Sequence, residues 1–485
     1  MTMSLAHATE SRKLDGLLPL WVGIGVYALL LAVGSGLLND PDTYWQITLG
    51  QWMLDHHAVP RTDLYSFTMQ GQPWISTQWL AQVAYALSYN VAGWAGPVVL
   101  AAAAGSLAIA LLARFLHLRL ARTATLVILC ATLALMAGHM LARPHVLAMP
   151  VMVAWVAGLV DAMDRKRAPS LWLLPLMVLW VNLHGGFVLG LALIGPIALD
   201  AIWHAPKDQQ ARVLLRWALF GVAALVASCI TPYGWDALMA SRRILSLGAA
   251  LAVIGEWRPA NFGHAGPLEI SVLAAFAFVL WRGMTLPPMR IVLVLGFVYM
   301  ALGHVRNAEV LALLAPLVLA KPLGEQLGRN SGAASSPNRL LVAGIALCLI
   351  AATAVVASIR QYTPSERAAP IAAVDALKKL NVSRVFNDYD FGGYLIWRGV
   401  PTFIDGRTEL FGETLMVDHN DASGLAKPDN LFRLLKDYGI DATFMRTESA
   451  ATKLLDRMDG WEKVYSDDLA TIHVRKGETS GKVRE

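Results

Sequence analysis

Charge is what this sequence is short of. Of its 485 residues only 15% are Asp, Glu, Lys or Arg, against roughly 25% for a soluble chain. Lipid cannot solvate ions, so a low density of charge broken by long apolar runs is the mark of a bilayer. Cysteine is scarce as well. Cys130, Cys229 and Cys348 all lie inside apolar runs, so no disulfide framework holds a water-soluble segment. The sequence has no GxxxxGK[ST], no GxGxxG after a strand, no CxxC and no internal repeat. That leaves no nucleotide-cradling loop, dinucleotide fingerprint or thiolate metal site to argue from. A net charge of +5 and a pI near 9.0 do not indicate nucleic-acid binding. The basic residues are scattered at the ends of apolar runs, where they report orientation in a membrane.

What is present is hydrophobicity. Mean hydropathy is +0.49, and apolar runs occur near 17–38, 95–115, 123–141, 146–163, 170–183, 186–203, 213–230, 268–282, 290–304, 308–322 and 340–358. A span takes roughly 20 apolar residues, so the expected fold is a polytopic α-helical membrane protein of about eleven helices. The first run follows Arg12 and Lys13 and is longer than the core of a cleaved signal, so it reads as a retained helix. With residues 1–16 in the cytoplasm, inside segments carry sixteen Lys and Arg, from Arg12 and Lys13 to Arg329 and Arg339. Outside loops carry six: Arg61, Arg143, Arg242, Arg243, Arg258 and Arg306. That bias follows the positive-inside rule, and an odd helix count then puts the C-terminal segment outside.

The expected domains are a membrane region over 17–358, with its first outside loop at 39–78, and a small extracytoplasmic α/β domain over 359–478. Residues 329–339, rich in Ser, Gly and Asn, read as a linker and 479–485 as a frayed tail. In the α/β domain, Ala368–Leu380, Leu431–Tyr438 and Ala450–Met458 have helical spacing. Arg384–Asn387, Pro401–Ile404, Ala442–Met445 and a pair over 461–474 read as strands. In the first loop, Gln46–Leu54 and Trp79–Leu87 have apolar residues at helical spacing and suit the membrane interface.

Polar residues gather on one face. The outside turns hold Asp40 and Asp42, then Arg143-Pro-His145, Asn182-Leu-His-Gly-Gly186, Glu256-Trp-Arg258 and His304-Val-Arg-Asn307. The inside loops carry mostly plain Lys and Arg. Ionisable groups near bilayer depth cost about 2.5–3.5 kcal/mol each on insertion scales, so their gathering on one side points to a shared aqueous cavity. A cap or headgroup contact for each residue separately is the plainer alternative. Asp40 and Asp42 directly follow the first helix; a carboxylate there can accept a hydroxyl proton, bind a metal or cap the next helix. The arginines suit bidentate phosphate contact. Of the twelve histidines, His145, His184 and His304 stand among these residues, but without HxxxH-type spacing, so no metal site is indicated.

These residues carry a resemblance. Asp42-Thr-Tyr-Trp45, Gly50-Gln-Trp52, Pro60-Arg-Thr-Asp63, Arg143-Pro-His145, Trp180-Val-Asn-Leu-His-Gly-Gly186, Pro232-Tyr-Gly-Trp235, Glu256-Trp257 and Arg306-Asn307 stand in order along the chain. Asn387-Asp-Tyr-Asp-Phe-Gly-Gly-Tyr394 and Phe403-Ile-Asp-Gly-Arg407 follow near the end. The chain resembles the GT-C class of polytopic glycosyltransferases and, more closely, a little-characterised group of bacterial membrane proteins with that architecture. The resemblance implies a multi-pass protein of the bacterial inner membrane that takes a sugar from a polyprenyl-phosphate carrier and moves it to an extracytoplasmic acceptor. It implies an essential carboxylate just after the first helix, matched best by Asp42 and next by Asp40, with Pro41 between them. Arg143, Arg258 and Arg306 are then candidates for the phosphate, and His145, His184 and His304 for phosphate or acceptor. Asp405 and Arg407 are weaker candidates for acceptor contact; a turn with a structural Asp–Arg pair accounts for them equally. The partners expected are the lipid-linked donor and membrane lipids, with no nucleic acid and no established cofactor. The competing functions are a transporter or flippase of lipid-linked glycans and a non-catalytic scaffold for envelope polysaccharide assembly.

Overall fold

The computed structural model describes residues 16–245, 247–248, 251, 254–329 and 339–477. The expected cytoplasmic N-terminus up to residue 15, with Arg12 and Lys13, the core of the linker (330–338) and the tail from 478 lie outside the described residues. The chain divides into two compact units. One comprises Met1–Gly34, Ala95–Leu238 and Glu256–Tyr362; the other comprises Ser35–Trp94, Met239–Gly255 and Thr363–Glu485.

The first unit is helical. Among the described residues six helices are long and apolar enough to cross a membrane: Leu18–Leu38, Ala95–His117, Pro144–Asp164, Gln210–Ala227, Val305–Leu327 and Leu340–Ile359. Four shorter apolar helices cover Arg122–Met136, Leu171–Leu183, Phe187–Trp203 and Pro288–Gly303. The helix Pro144–Asp164 is the most enclosed, with 78% of its apolar window inside the fold. Leu340–Ile359 has none of its window enclosed, so lipid is its solvent. It is tied to the first helix by the Tyr27–Thr353 hydroxyl pair at 3.0 Å and by Arg360, which donates to the carbonyls of Leu31 and Ala32. Helices pack in lipid by close approach of small residues. Gly23 illustrates this, since a Cβ there would meet that of Ala110 at 3.0 Å.

One part of this unit departs from the sequence expectation of plain basic residues on the inner side. Arg290 and Asp164 pair at 2.5 Å, with Asp200 3.8 Å from the same guanidinium. Arg119 reaches Asp161 at 3.0 Å, Arg165 reaches Asp161 at 3.0 Å, and Lys321 donates to the Asp164 carbonyl. Asp164, Asp200 and Arg290 are buried or nearly so. Three of the counted positive charges, Arg119, Arg165 and Arg290, are therefore paired with carboxylates, and for the buried Arg290 that pairing is what lets the charge persist.

The second unit is α/β. Strands β1 (Val385–Asn387), β2 (Ala442–Arg446), β3 (Trp461–Ser466) and β4 (Ala470–Arg475) form one sheet in the order β1-β2-β4-β3. β1 and β2 run parallel and the other pairs antiparallel. Helices Ile371–Lys379, Gly392–Trp397, Thr408–Gly424, Pro428–Asp437 and Ala450–Leu455 surround it. The loop expected at 39–78 in the membrane domain belongs here instead. Its helix Asp42–His56 puts Tyr44 into the core, edge-on to Trp94, Tyr394 and Trp397 at 5.0–5.7 Å. Gln46–Leu54 and Trp79–Leu87 are accordingly not free interfacial stretches. They pack on each other, with a buried chain from Ser76 to Gln82 to Gln46. Pro401–Ile404, expected as a sheet strand, has its partner in the same loop: Thr402 bridges Ser66, and backbone bonds link it to Tyr65 and Phe67.

Candidate functional site

Three helix ends of the first unit bring charged side chains together. Arg143 is extended (φ −122°, ψ 156°), as a residue before proline prefers, and Pro144 starts the enclosed helix. Glu256 lies in the short turn Gly255–Trp257, and Arg306 lies in the turn Val305–Asn307. Arg143 Nη1 donates to Glu256 Oε2 at 2.8 Å, and Arg306 Nη1 to Oε1 at 3.2 Å. One carboxylate thus bridges two arginines from separate helices. Arg306 also lies over the Trp257 ring at 4.4 Å, a cation–π contact. His304 Nδ1 is 2.7 Å from the Trp257 carbonyl, and the Val305 N–H donates to the Arg258 carbonyl at 3.0 Å. Burial alone would raise the Glu256 carboxyl. The two guanidiniums outweigh it and hold it down at about 2.

Beside this triad, His145 Nε2 is 3.0 Å from the His139 carbonyl and 3.6 Å from Glu309 Oε2. The His184 ring stands edge-on to His145 at 6.3 Å. The Gly186 N–H donates to His184 Nδ1, so the neutral ring carries its proton on Nε2. Of the residues chosen from sequence, Arg143, His145, His184 and Arg306 converge, and His304 holds the Glu256 turn through Trp257. Arg258 is exposed and enters through its backbone carbonyl. Glu256 and Glu309 were visible as polar residues of the outside turns. Their roles were not, since Glu256 lies 113 residues from Arg143 and 50 from Arg306.

The acidic candidates of the first loop stand in the second unit. Asp40 is buried, and its Oδ1 accepts the Asp42 N–H at 2.7 Å. The N-cap position is Pro41, so Asp42 is the first helical residue and not the cap, and Asp40 holds its N–H. Asp42 is partly exposed; its Oδ1 accepts from the Trp45 indole at 3.0 Å. A Cβ at position 406 would strike that oxygen at 2.0 Å, so only glycine lets the 405–407 turn come so close.

Asp405 and Arg407, the weaker acceptor candidates, form the structural Asp–Arg pair that the sequence offered as the alternative. Both side chains are fully enclosed. Arg407 Nε and Nη2 donate to the two Asp405 oxygens at 2.8 and 2.7 Å, and Nη1 donates to Asp63. Tyr65 and Trp74 lie 5.4 and 5.1 Å from the guanidinium, and the Trp74 indole donates to Glu409. Burial would lower the Arg407 guanidinium, but the carboxylates more than offset it and push it up. Among the described residues no three His, Cys, Asp or Glu side chains are grouped as metal ligands.

Asp388, nearby in sequence, offers a pH test. Burial first, then Asp390 beside it, push its carboxyl up to about 6 against the pull of Arg446. A folded value above the unfolded one means the stabilisation is complete below about pH 4 and is lost as pH rises through 6. Two units correspond to about 2–3 kcal/mol. Asp388→Asn should lose less of its melting midpoint in detergent between pH 4.5 and 7.5 than the wild type does. Circular dichroism melts across that window provide the check.

No family model matches the sequence, and no curated protein matches it. Solved structures do. The chain is similar to the archaeal oligosaccharyltransferase AglB from Archaeoglobus fulgidus, determined in complex with an inhibitory peptide and a dolichol-phosphate. The TM-score is 0.51 at 11% identity, covering 95% of this chain and 74% of that one. It is also similar to ArnT from Cupriavidus metallidurans bound to undecaprenyl phosphate, with a TM-score of 0.50 at 15% identity over 96% of this chain and 98% of that one. At such identities the likeness is one of fold. Together with the apolar helices, it makes this a multi-pass membrane protein of GT-C-like fold.

Proposed function

We propose that the protein transfers a sugar from a polyprenyl-phosphate carrier to an acceptor outside the cytoplasm. The observation that carries the reading is the Arg143–Glu256–Arg306 bridge, an anion held by two guanidiniums at the end of apolar helices. A lipid phosphate presents the same demand, and Arg suits bidentate contact with it. The likeness to ArnT and AglB, each solved with a polyprenyl phosphate, supports the same donor class.

In this reading the acceptor hydroxyl gives up its proton to a carboxylate as its oxygen bonds to the anomeric carbon, and the sequence offers Asp42 for that role. The bond from that carbon to the phosphate oxygen breaks, and the electron pair leaves on the phosphate. Arg143 and Arg306 stabilise the growing charge. The protein sits in the bacterial inner membrane with about eleven helices, its N-terminus inside and its C-terminal segment outside, as the loop charges favour. Purified protein incubated with a panel of polyprenyl-phosphate sugars should release polyprenyl phosphate. Asp42→Asn should lower that release by at least two orders of magnitude. An Asp42→Asn enzyme as fast as the wild type would remove Asp42 from the mechanism.

The buried layer of Asp164, Asp200 and Arg290 favours a second reading. It sits at the far end of the helix that Pro144 begins, about 30 Å away at 1.5 Å per residue. Ionisable groups buried at both ends of one span suit a transporter of lipid-linked material. Movement of a lipid-linked sugar across proteoliposomes without its consumption would support that reading over transfer.

A further inference from the structure

We infer that Glu256 is an internal anion that fills the phosphate position at rest and must be displaced by the lipid phosphate. The inference rests on the reading of Arg143 and Arg306 as phosphate ligands. Two guanidiniums that converge on one point repel each other unless an anion lies between them. Glu256 supplies that anion, giving one oxygen to each arginine at 2.8 and 3.2 Å. A phosphate in this place would use the same geometry, with two oxygens bridging two forks. The chain has therefore built its own substitute for the ligand.

The neighbouring contacts show what has to move. The backbone around Glu256 is fixed by His304 on the Trp257 carbonyl and by the Val305 amide on the Arg258 carbonyl. Arg306 is fixed by stacking on Trp257. None of these bonds involves the Glu256 side chain. That side chain is about one third exposed and can rotate into water, leaving Arg306 stacked on Trp257. Displacement is then a contest of charge. A phosphate monoester carries about −1.5 to −2 at pH 7, and a sugar-linked phosphodiester only one charge. Glu256 therefore opposes the donor more than the product, and donor binding has to draw on contacts to the lipid and sugar.

The test uses the full-length protein in lipid nanodiscs with two probes measured separately, polyprenyl phosphate and inorganic phosphate. Glu256→Gln keeps the shape and removes the charge, and should bind both probes at least tenfold tighter than wild type. Glu256→Asp keeps the charge but is too short to reach both arginines. It should tighten binding by a smaller factor, and it serves as the test if Glu256→Gln fails to fold. A Glu256 that merely positions the arginines predicts the reverse, weaker binding in both variants. Equal or weaker binding of polyprenyl phosphate by the variants, with the wild type binding it well, overturns the inference and leaves the donor reading intact. Tighter inorganic phosphate in Glu256→Gln with polyprenyl phosphate bound by neither protein supports the internal anion and overturns the donor reading. No gain for either probe overturns the inference.

Discussion

Arg306→Ala should lower the rate of release of polyprenyl phosphate from a lipid-linked sugar by 10²- to 10³-fold. The size follows from the loss of one preorganised donor to a group whose charge grows in the transition state, worth about 2.7–4 kcal/mol. Because the charge grows during the reaction, kcat should fall more than donor affinity. Arg306→Lys should recover only part of the rate. Lysine keeps a positive charge but has no planar fork, and it stacks less well on Trp257. Arg143→Ala should do similar damage, and the double variant should be little worse than either single one. Both residues hold the same anion, and effects within one network do not add. A structural explanation is easy to separate from this. Arg306 is partly exposed and its ion pair with Glu256 lies near the surface, so its loss should cost at most about 1 kcal/mol of stability. A rate that falls in step with the melting midpoint would argue that Arg306 only holds the fold.

The sequence and the structure agree where local physics decides, and part where distant residues meet. Apolar runs are local, and among the described residues six of them are helices long and apolar enough to cross a membrane. Period-two and helical spacing are local too, and Val385–Asn387, Ala442–Arg446 and the hairpin Trp461–Arg475 stand where the pattern put strands. Pro401–Ile404 has the same apolar look, but its partner lies in the first loop, which no pattern within the segment reveals. The cluster of Arg143, His145, His184 and Arg306 was legible for a different reason. Polar groups beside long apolar runs are costly, and their gathering at alternate loops needs a common cause. The Glu256 bridge was not legible, because a pairing across 50 and 113 residues leaves no periodic trace. Asp164 and Asp200 were hidden in another way. A hydropathy average over a whole span absorbs one acid near its end, so Asp200 reads as part of the run 186–203, while Asp164 falls one residue past the run 146–163 and looks like the start of a loop. The grouping of the first loop with the C-terminal sheet was likewise beyond sequence, since Asp63 and Arg407 stand 344 residues apart.

That last pairing is where the stability of the second unit is most exposed to a single change. Arg407→Ala should destabilise it by about 3–5 kcal/mol, the usual cost of removing one partner from a buried ionic group. The reason lies with the two acids left behind. Asp63 and Asp405 are completely enclosed, so neither can turn to water when the guanidinium is gone. Asp63 keeps its bonds from Ser66 and the Tyr65 amide, and Asp405 keeps those from the Thr402 hydroxyl and the residue-407 amide. These are too few to hold two neighbouring carboxylates ionised. Tyr65 and Trp74 would also close on an empty space where the planar group lay. Arg407→Lys should recover only part of the loss, because an ammonium cannot match both Asp405 oxygens and reach Asp63 as well. Removing all three charges together, as Asp63→Asn, Arg407→Met and Asp405→Asn, should be far milder than Arg407→Ala alone, since no charge is then left unpaired. Thermal melts in detergent would rank the variants. Limited proteolysis of the 60–75 segment would show whether the first loop is released, since Asp63, Tyr65, Ser66 and Trp74 all reach the C-terminal residues through this turn. An Arg407→Ala protein that melts like the wild type and keeps this segment protected would mean that packing, not the ion network, holds the loop in place.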